Sequence, residues 1–340
     1  MAEPGNRERD AQTESRPRTD DSAIVYAQLA AGMIVFGSAT PVSKLVTQDT
    51  PVFIGSALRA AIGALVFLPF IWRHLGDIAK LSRRDWIYVF GIAVFGMFGF
   101  TAFLLIGMKM IPGVLGAIVM ATTPAVTAGA AILFIGENAT WRKSLAIALA
   151  VAGVLVLHLG GDGGGMEAHG PASAKAANDS VTAFIQGLGS SAVLGSALVF
   201  GAVCCEAAYT LLGRAVSQES DPKLVAFLGA ALSLPLFAPL AFVQWPSFAP
   251  AEVGWQGWSA ILWYGAGTLA LGTWLWYQGI TKAQGSVAAG FMGLMPVSAL
   301  ALSYILLGES PRLMHLIGFA VVFAGVLLIS REHALAAREG

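Results

Sequence analysis

The chain has 340 residues, 56% of them hydrophobic and 12% charged, against about 45–50% and about 25% in an ordinary soluble domain; a soluble fold of this size cannot hide so much apolar surface. Twenty Lys and Arg balance twenty Asp and Glu, so no basic field draws nucleic acid and no acidic excess points to a cation buffer. The two cysteines, Cys204 and Cys205, are adjacent in an apolar run, a spacing that builds neither a disulfide framework nor a metal site.

Residues 1–22 hold four Arg and six acids with almost no apolar side chains, the composition of a disordered arm. The apolar run that follows is about 20 residues long, enough to cross a bilayer, and lacks a clean cleavage signal; it reads as a retained first helix. Nine more runs of this kind follow, giving expected spans at 23–43, 51–72, 86–107, 111–135, 142–160, 191–213, 222–243, 258–280, 284–307 and 311–330. None alternates with the period of two of a barrel strand. The fold class expected is an all-α polytopic membrane protein with ten transmembrane helices. Between the fifth and sixth spans, residues 161–190 are rich in Gly, Ala and Ser and read as a flexible periplasmic linker. This divides the chain into a cytoplasmic arm (1–22), a five-helix unit (23–160), the linker (161–190), a second five-helix unit (191–330) and a cytoplasmic tail (331–340).

With the N-terminus inside, the inner segments collect fifteen of the twenty Lys and Arg, and the outer ones only Lys44, Lys109, Lys175 and Arg312. Lys and Arg mark cytoplasmic loops, so both termini are expected in the cytoplasm and the protein in the inner membrane. Trp245, Trp255 and Trp258 then gather at the outer interface, where belt aromatics sit.

Shifting the chain on itself by 172 residues superposes Trp86 on Trp258, Thr101 on Thr273, Gly107 on Gly279, Gly113 on Gly285 and Pro124 on Pro296. The match continues with Gly136-Glu137 on Gly308-Glu309 and Ala152-Gly153-Val154 on Ala324-Gly325-Val326, while an offset of 170 puts Lys44 on Arg214 and Pro69 on Pro239. Five is odd, so two five-span halves in series cross the membrane in opposite senses. Such inverted repeats are the architecture of many secondary transporters, with a site near the midplane.

These residues resemble the drug/metabolite transporter superfamily with two EamA-type repeats, over residues 24–331. The resemblance is carried by Pro124 with Gly136-Glu137 and Pro296 with Gly308-Glu309, each followed by a last helix containing Ala-Gly-Val. The Phe36-Gly37-Ser38 to Lys44 segment and Arg59 are also similar, although the family often has Trp at the place of Phe36. The resemblance implies that spans four and nine face the translocation path.

Several residues can serve transport. Pro124 and Pro296, near the centres of spans four and nine, each remove a backbone hydrogen bond and so form paired kinks that line a cavity or absorb a rocking motion. Glu206 is the only acid within the core of a span, about 10 Å from its inner end at 1.5 Å per residue. An ionised carboxylate there is expensive and marks a functional site by default; it can exchange a proton as substrate enters. Arg59, near the middle of span two, is suited to a substrate carboxylate or phosphate, or to backbone carbonyls at helix ends, and no direct salt bridge with Glu206 is expected. Gly267, Ala270, Trp274 and Tyr277 form a small-to-aromatic stripe on span eight, with Trp274 and Tyr277 at about the depth of Glu206, where they can wall a substrate pocket or simply pack. Glu137 and Glu309 sit beside helix-ending glycines, as turn residues or as gates at the two faces. Small residues in spans five and ten permit close helix packing, within a monomer or across a homodimer.

No metal ligand set, catalytic constellation or nucleotide-binding motif is present, so no enzyme and no cofactor is expected. The expected function is a gradient-driven secondary transporter that exports small polar metabolites such as amino acids by alternating access, with the substrate and membrane lipids as partners. The alternatives are a carrier of nucleotide sugars or phosphorylated metabolites, which needs several central cations, and a membrane scaffold or lipid-handling protein, which needs polar clusters at a membrane face.

Overall fold

The computed structural model describes residues 19–137, 139–159, 191–216, 221–280, 282–283 and 285–339. The arm as far as residue 18 and the 161–190 linker lie outside the described residues. Among the described residues ten helical rods follow one another. The first, α1, is Thr19–Gly37 continued by Ala39–Asp49; α2 is Val52–Ile71; α3 is Arg83–Gly91, Ile92–Gly99 and Phe100–Met110; α4 is Gly113–Met120, Thr123–Ala130 and Ala131–Ile135; α5 is Trp141–Leu159. In the second half, α6 is Ser191–Ala215, α7 Pro222–Gln244, α8 Trp255–Leu262, Trp263–Leu271 and Gly272–Ile280, α9 Gly285–Met292 and Leu294–Leu307, and α10 Leu313–Glu339. No strand occurs among the described residues.

Among the described residues, eight of the rods are long and apolar enough by themselves to cross a membrane. Of the other two, α8 has a Trp, Tyr, Gln and Gly content that lowers its hydropathy, and α5 is apolar from Leu145 onward. Both are embraced by neighbours, α5 along α10 and α8 against α1 and α2. The ends of several helices overrun the expected spans. Helix α1 continues to Asp49 beyond a break at Ser38, and α10 continues past 330 to Glu339, because backbone hydrogen bonding does not stop where the apolar side chains do.

The contacts follow a pseudo-twofold rule. Helix α1 lies against α8 and α9, and its counterpart α6 lies against α3 and α4, while α2 packs on α7 and α5 on α10. Each half thus lends its first helix to the other half, and the halves interleave instead of docking as separate domains. Irregular backbone repeats as well. Ile92–Gly99 in α3 and Trp263–Leu271 in α8 are both π-helical, and so coincide at the 172-residue offset. Both α4 and α9 break just before their proline, between Met120 and Thr123 and between Met292 and Leu294. Among the described residues Gly136 and Gly308 are the two with positive φ, at 76° and 65°, a left-handed end that glycine adopts without steric penalty.

Close helix approach is made by small residues, as it must be where lipid supplies no hydrophobic drive. A Cβ on Gly153 would lie 2.8 Å from the carbonyl oxygen of Gly318, and one on Gly325 would lie 3.0 Å from that of Ala146, two mutually equivalent contacts. The small-residue faces of α5 and α10 therefore serve contact within the chain. Gly153→Leu is expected to destabilise the protein by about 1–3 kcal/mol, the usual effect of overpacking, read as a lowered thermal midpoint in detergent.

The turns fall into two sets at opposite ends of the bundle. One joins the start of α2 to the α7–α8 connection, where Phe53 N donates to Gln244 Oε1 at 2.8 Å, and also contains the α3–α4 and α9–α10 turns. Exposed Trp245, Trp255 and Trp258 lie at this end. The other set brings His74 within 3.9 Å of Asp221.

Candidate functional site

Arg59 is carried to the middle of the bundle by α2, a helix of apolar and small residues, and is only 7% exposed. Its Nη1 donates to Thr101 Oγ1 on α3 at 2.5 Å. The guanidinium carbon lies 4.4 Å from the centroid of the Tyr264 ring on α8 and 5.8 Å from that of Phe100. Cation–π attraction of this kind contributes about 0.5–2 kcal/mol, far less than full hydration of the ion. Arg59 Nε and the hydroxyl of fully buried Tyr264 have no hydrogen-bond partner among the described residues. No carboxylate of the described residues lies within ion-pair distance of Arg59. A guanidinium offers five donors in a rigid fork; here one goes to a hydroxyl and its π faces meet aromatic rings. The arrangement is a buried cation able to accept a carboxylate.

Glu206 stands on α6, half-buried, at the place that the 170-residue offset assigns to Phe36 in α1. Its Oε2 lies 3.1 Å from Thr123 Oγ1, and the same hydroxyl lies 2.7 Å from the carbonyl oxygen of Met120. Met120 O is the acceptor that Pro124, lacking an N–H, leaves without its helical donor. One hydroxyl proton therefore faces two acceptors, the kink carbonyl and the carboxylate. In the other half Phe36 fills the corresponding volume, where its ring meets Gly272, and Gly37 abuts the Met295 carbonyl and the Ser298 hydroxyl beside Pro296. The polar contact exists in one half and an apolar one in its twin.

The remaining expected residues are distributed around this centre. Tyr277 lies within electrostatic reach of Tyr209, which in turn neighbours Glu206. Trp274 points elsewhere, into a lateral cleft of about 200 Å³ lined also by Val66, Phe67, Phe70, Lys223 and Ala270. Pro124 and Pro296 stand at the paired breaks of α4 and α9. Glu137 Oε2 accepts from Lys143 Nζ at 2.9 Å, while Glu309 reaches the other half of the chain and accepts from the backbone N–H groups of Gly113 and Val114 at 2.5 and 2.7 Å.

Sequence reasoning passed over Thr101, Tyr264, Thr123 and Tyr209. Two of these carried a signal, since Thr101 coincides with Thr273 in the repeat and Thr123 directly precedes a helix-breaking proline. Nothing in the sequence marks Tyr264 as the platform under Arg59.

An interleaved ten-helix bundle with a buried cation and a half-buried acid around paired kinks is the build of a membrane transporter. Its two halves match the EamA-like transporter family at residues 23–159 and 193–331, and the chain belongs to that family. It is 29% identical to an uncharacterised transporter, YetK, of Bacillus subtilis over 89% of this chain and 86% of the relative. It is 26% identical to a probable terminal-alkyne amino-acid exporter of Streptantibioticus cattleyicolor, over 92% and 94% of the two chains. A crystal structure 18% identical in sequence superposes with a TM-score of 0.53 and covers 95% of this chain and 99% of that one, a likeness of fold.

Proposed function

We propose that this transporter is a secondary active exporter of small polar metabolites of the amino-acid kind, working by alternating access in the inner membrane with both termini in the cytoplasm. Arg59 receives the substrate carboxylate, Glu206 exchanges a proton, and the kinks at Pro124 and Pro296 absorb the rocking of the halves. Tyr277 borders the path from the α8 side, while Trp274 stands at the lateral cleft.

The observation that carries this reading is Arg59 itself. A buried ion that lacks a counter-ion leaves a desolvation penalty of several kcal/mol, and a single hydroxyl with two rings offsets only part of it. A substrate carboxylate completes the set through a bidentate, charge-assisted contact. The resemblance to a probable amino-acid exporter supports the same substrate class.

A carrier of nucleotide sugars or phosphorylated metabolites needs several cations at the midplane. Lys44, half-buried at one end of the bundle, is already spent on backbone carbonyls there. A lipid-handling scaffold would use the cleft beside Trp274, whose 200 Å³ falls below even the roughly 300 Å³ of a small-molecule pocket.

The test is a thermal-shift screen of the purified protein against amino acids, organic cations and sugar phosphates. A ligand that binds only the folded state at 100 times its Kd stabilises it by about 2.7 kcal/mol, so an amino acid is expected to raise the midpoint. Stabilisation by sugar phosphates with none by amino acids would overturn the substrate assignment.

A further inference from the structure

Three elements from both halves of the chain meet at the α3–α4 turn, residues 108–114. From α1, Lys44 Nζ donates to the carbonyl oxygens of Ile111 at 2.5 Å and Met108 at 3.4 Å. From the α9–α10 turn, Glu309 accepts from the N–H groups of Gly113 and Val114, one oxygen to each. The cation thus sits on the carbonyl end of α3 and the anion on the amide end of α4, each complementing the exposed helix dipole. Lys44 and Glu309 are also electrostatic neighbours. Gly308, left-handed, turns the chain so that Glu309 reaches across.

We propose that Glu309, with Lys44, is the latch that closes one face of the carrier, and that it releases the α3–α4 turn when that face opens. The proposal rests on the alternating-access reading above. Rocking must break contacts between the halves at one face while the midplane stays packed. Apolar helix contacts do not exchange readily with water, but a carboxylate on two backbone amides does, because both partners are hydrated once they part. Glu309 is half-exposed, at the edge where that water is available.

Two features make the contact sensitive to small changes. A Cβ on Gly113 would run into the Leu307 side chain and would lie 3.2 Å from Glu309 Oε1 and 3.4 Å from Ser303 Oγ. Ser303, directly beneath the latch, is 0% exposed. By the repeat, Gly136-Glu137 stands in the corresponding place of the first half, where Glu137 accepts from Lys143 of its own half.

The experiment reads solvent access. With Cys204 and Cys205 replaced by serine, Ser303→Cys serves as reporter, and its alkylation by a membrane-impermeant maleimide is timed in detergent micelles. Glu309→Gln keeps the length and one acceptor but loses the charge. It is expected to speed labelling about tenfold, the ratio that follows from losing one charge-assisted hydrogen bond. Lys44→Met and Gly113→Ala, which attack the latch from α1 and from the turn, are expected to act in the same direction. They carry the test if Glu309→Gln does not fold. An unchanged rate in a variant that elutes as monodisperse helical protein overturns the proposal. So does an equal rise at Ser233→Cys, a buried position in α7 remote from the latch. The readout is access and not flux, so such a result leaves the transport reading standing.

Discussion

With Arg59→Met, affinity for a carboxylate substrate is expected to fall about 30- to 1000-fold, the loss that follows when one partner of a buried charged pair is removed at about 2–4 kcal/mol. The amide of the same compound, which presents no charge to the guanidinium, should lose little. Methionine conserves most of the volume and leaves Tyr264 and Phe100 packed, so the comparison isolates charge from cavity formation. Arg59→Lys is expected to recover only part of the binding, since an ammonium can neither stack flat on Tyr264, now 4.4 Å away, nor present a bidentate fork. The substrate-free protein should respond in the opposite direction. Replacing an uncompensated buried ion by an apolar group of similar size is often neutral or stabilising by about 1–4 kcal/mol, so Arg59→Met should melt at or above the temperature of the parent. An arginine that only held helices together would do the reverse, lowering the melting temperature and leaving acid and amide equally affected. Titrating both ligands by thermal shift, with the unliganded midpoints recorded alongside, separates the two roles.

Much of this architecture is legible in the sequence because a bilayer imposes a one-dimensional rule. An apolar run of about 20 residues must span, and its backbone must bond internally. The repeat is legible for a related reason, since Gly136 with Gly308 and Gly153 with Gly325 hold positions that a Cβ would disturb. Other features depend on how sequentially distant segments approach. The twin π-helical segments of α3 and α8 carry no local signature, since their composition is that of any apolar helix. The seat of Arg59 required the approach of α8 to α2, which no spacing within either helix reveals. Trp274 and Tyr277, one turn apart, look like a single face in the sequence. In the bundle the crossing of α2 and α7 directs Trp274 to the lateral cleft and leaves Tyr277 near Tyr209. Glu309 reads locally as a turn residue beside a capping glycine, and its contact with Gly113 and Val114 spans 196 and 195 residues.

Glu206→Gln is expected to abolish accumulation driven by a pH gradient while leaving exchange of substrate for substrate intact. One proton moving down a gradient of one pH unit releases about 1.4 kcal/mol, enough for roughly tenfold accumulation; in the variant the ratio should settle near one. The local geometry explains why a proton at this position would be felt by the helix. Thr123 has one hydroxyl proton to share between Met120 O, 2.7 Å away, and Glu206 Oε2, 3.1 Å away. An ionised carboxylate is the stronger acceptor and draws the hydroxyl from the carbonyl that Pro124 has already deprived of its helical donor. A protonated carboxyl can instead donate to the Thr123 oxygen, and the hydroxyl then returns to Met120. Loading and unloading of Glu206 would thus alternately satisfy and free a backbone group at the α4 kink, which is proposed above to absorb the rocking. Thr123→Val removes that link without touching the carboxyl, and should slow gradient-driven transport while preserving its stoichiometry; Thr123→Ser should restore the rate. Both variants are assayed in proteoliposomes with imposed pH jumps. Unchanged gradient-driven flux in Glu206→Gln would show that the driving proton is carried elsewhere. In that outcome the carboxyl at 206 is a polar substitute for Phe36 and has no part in coupling.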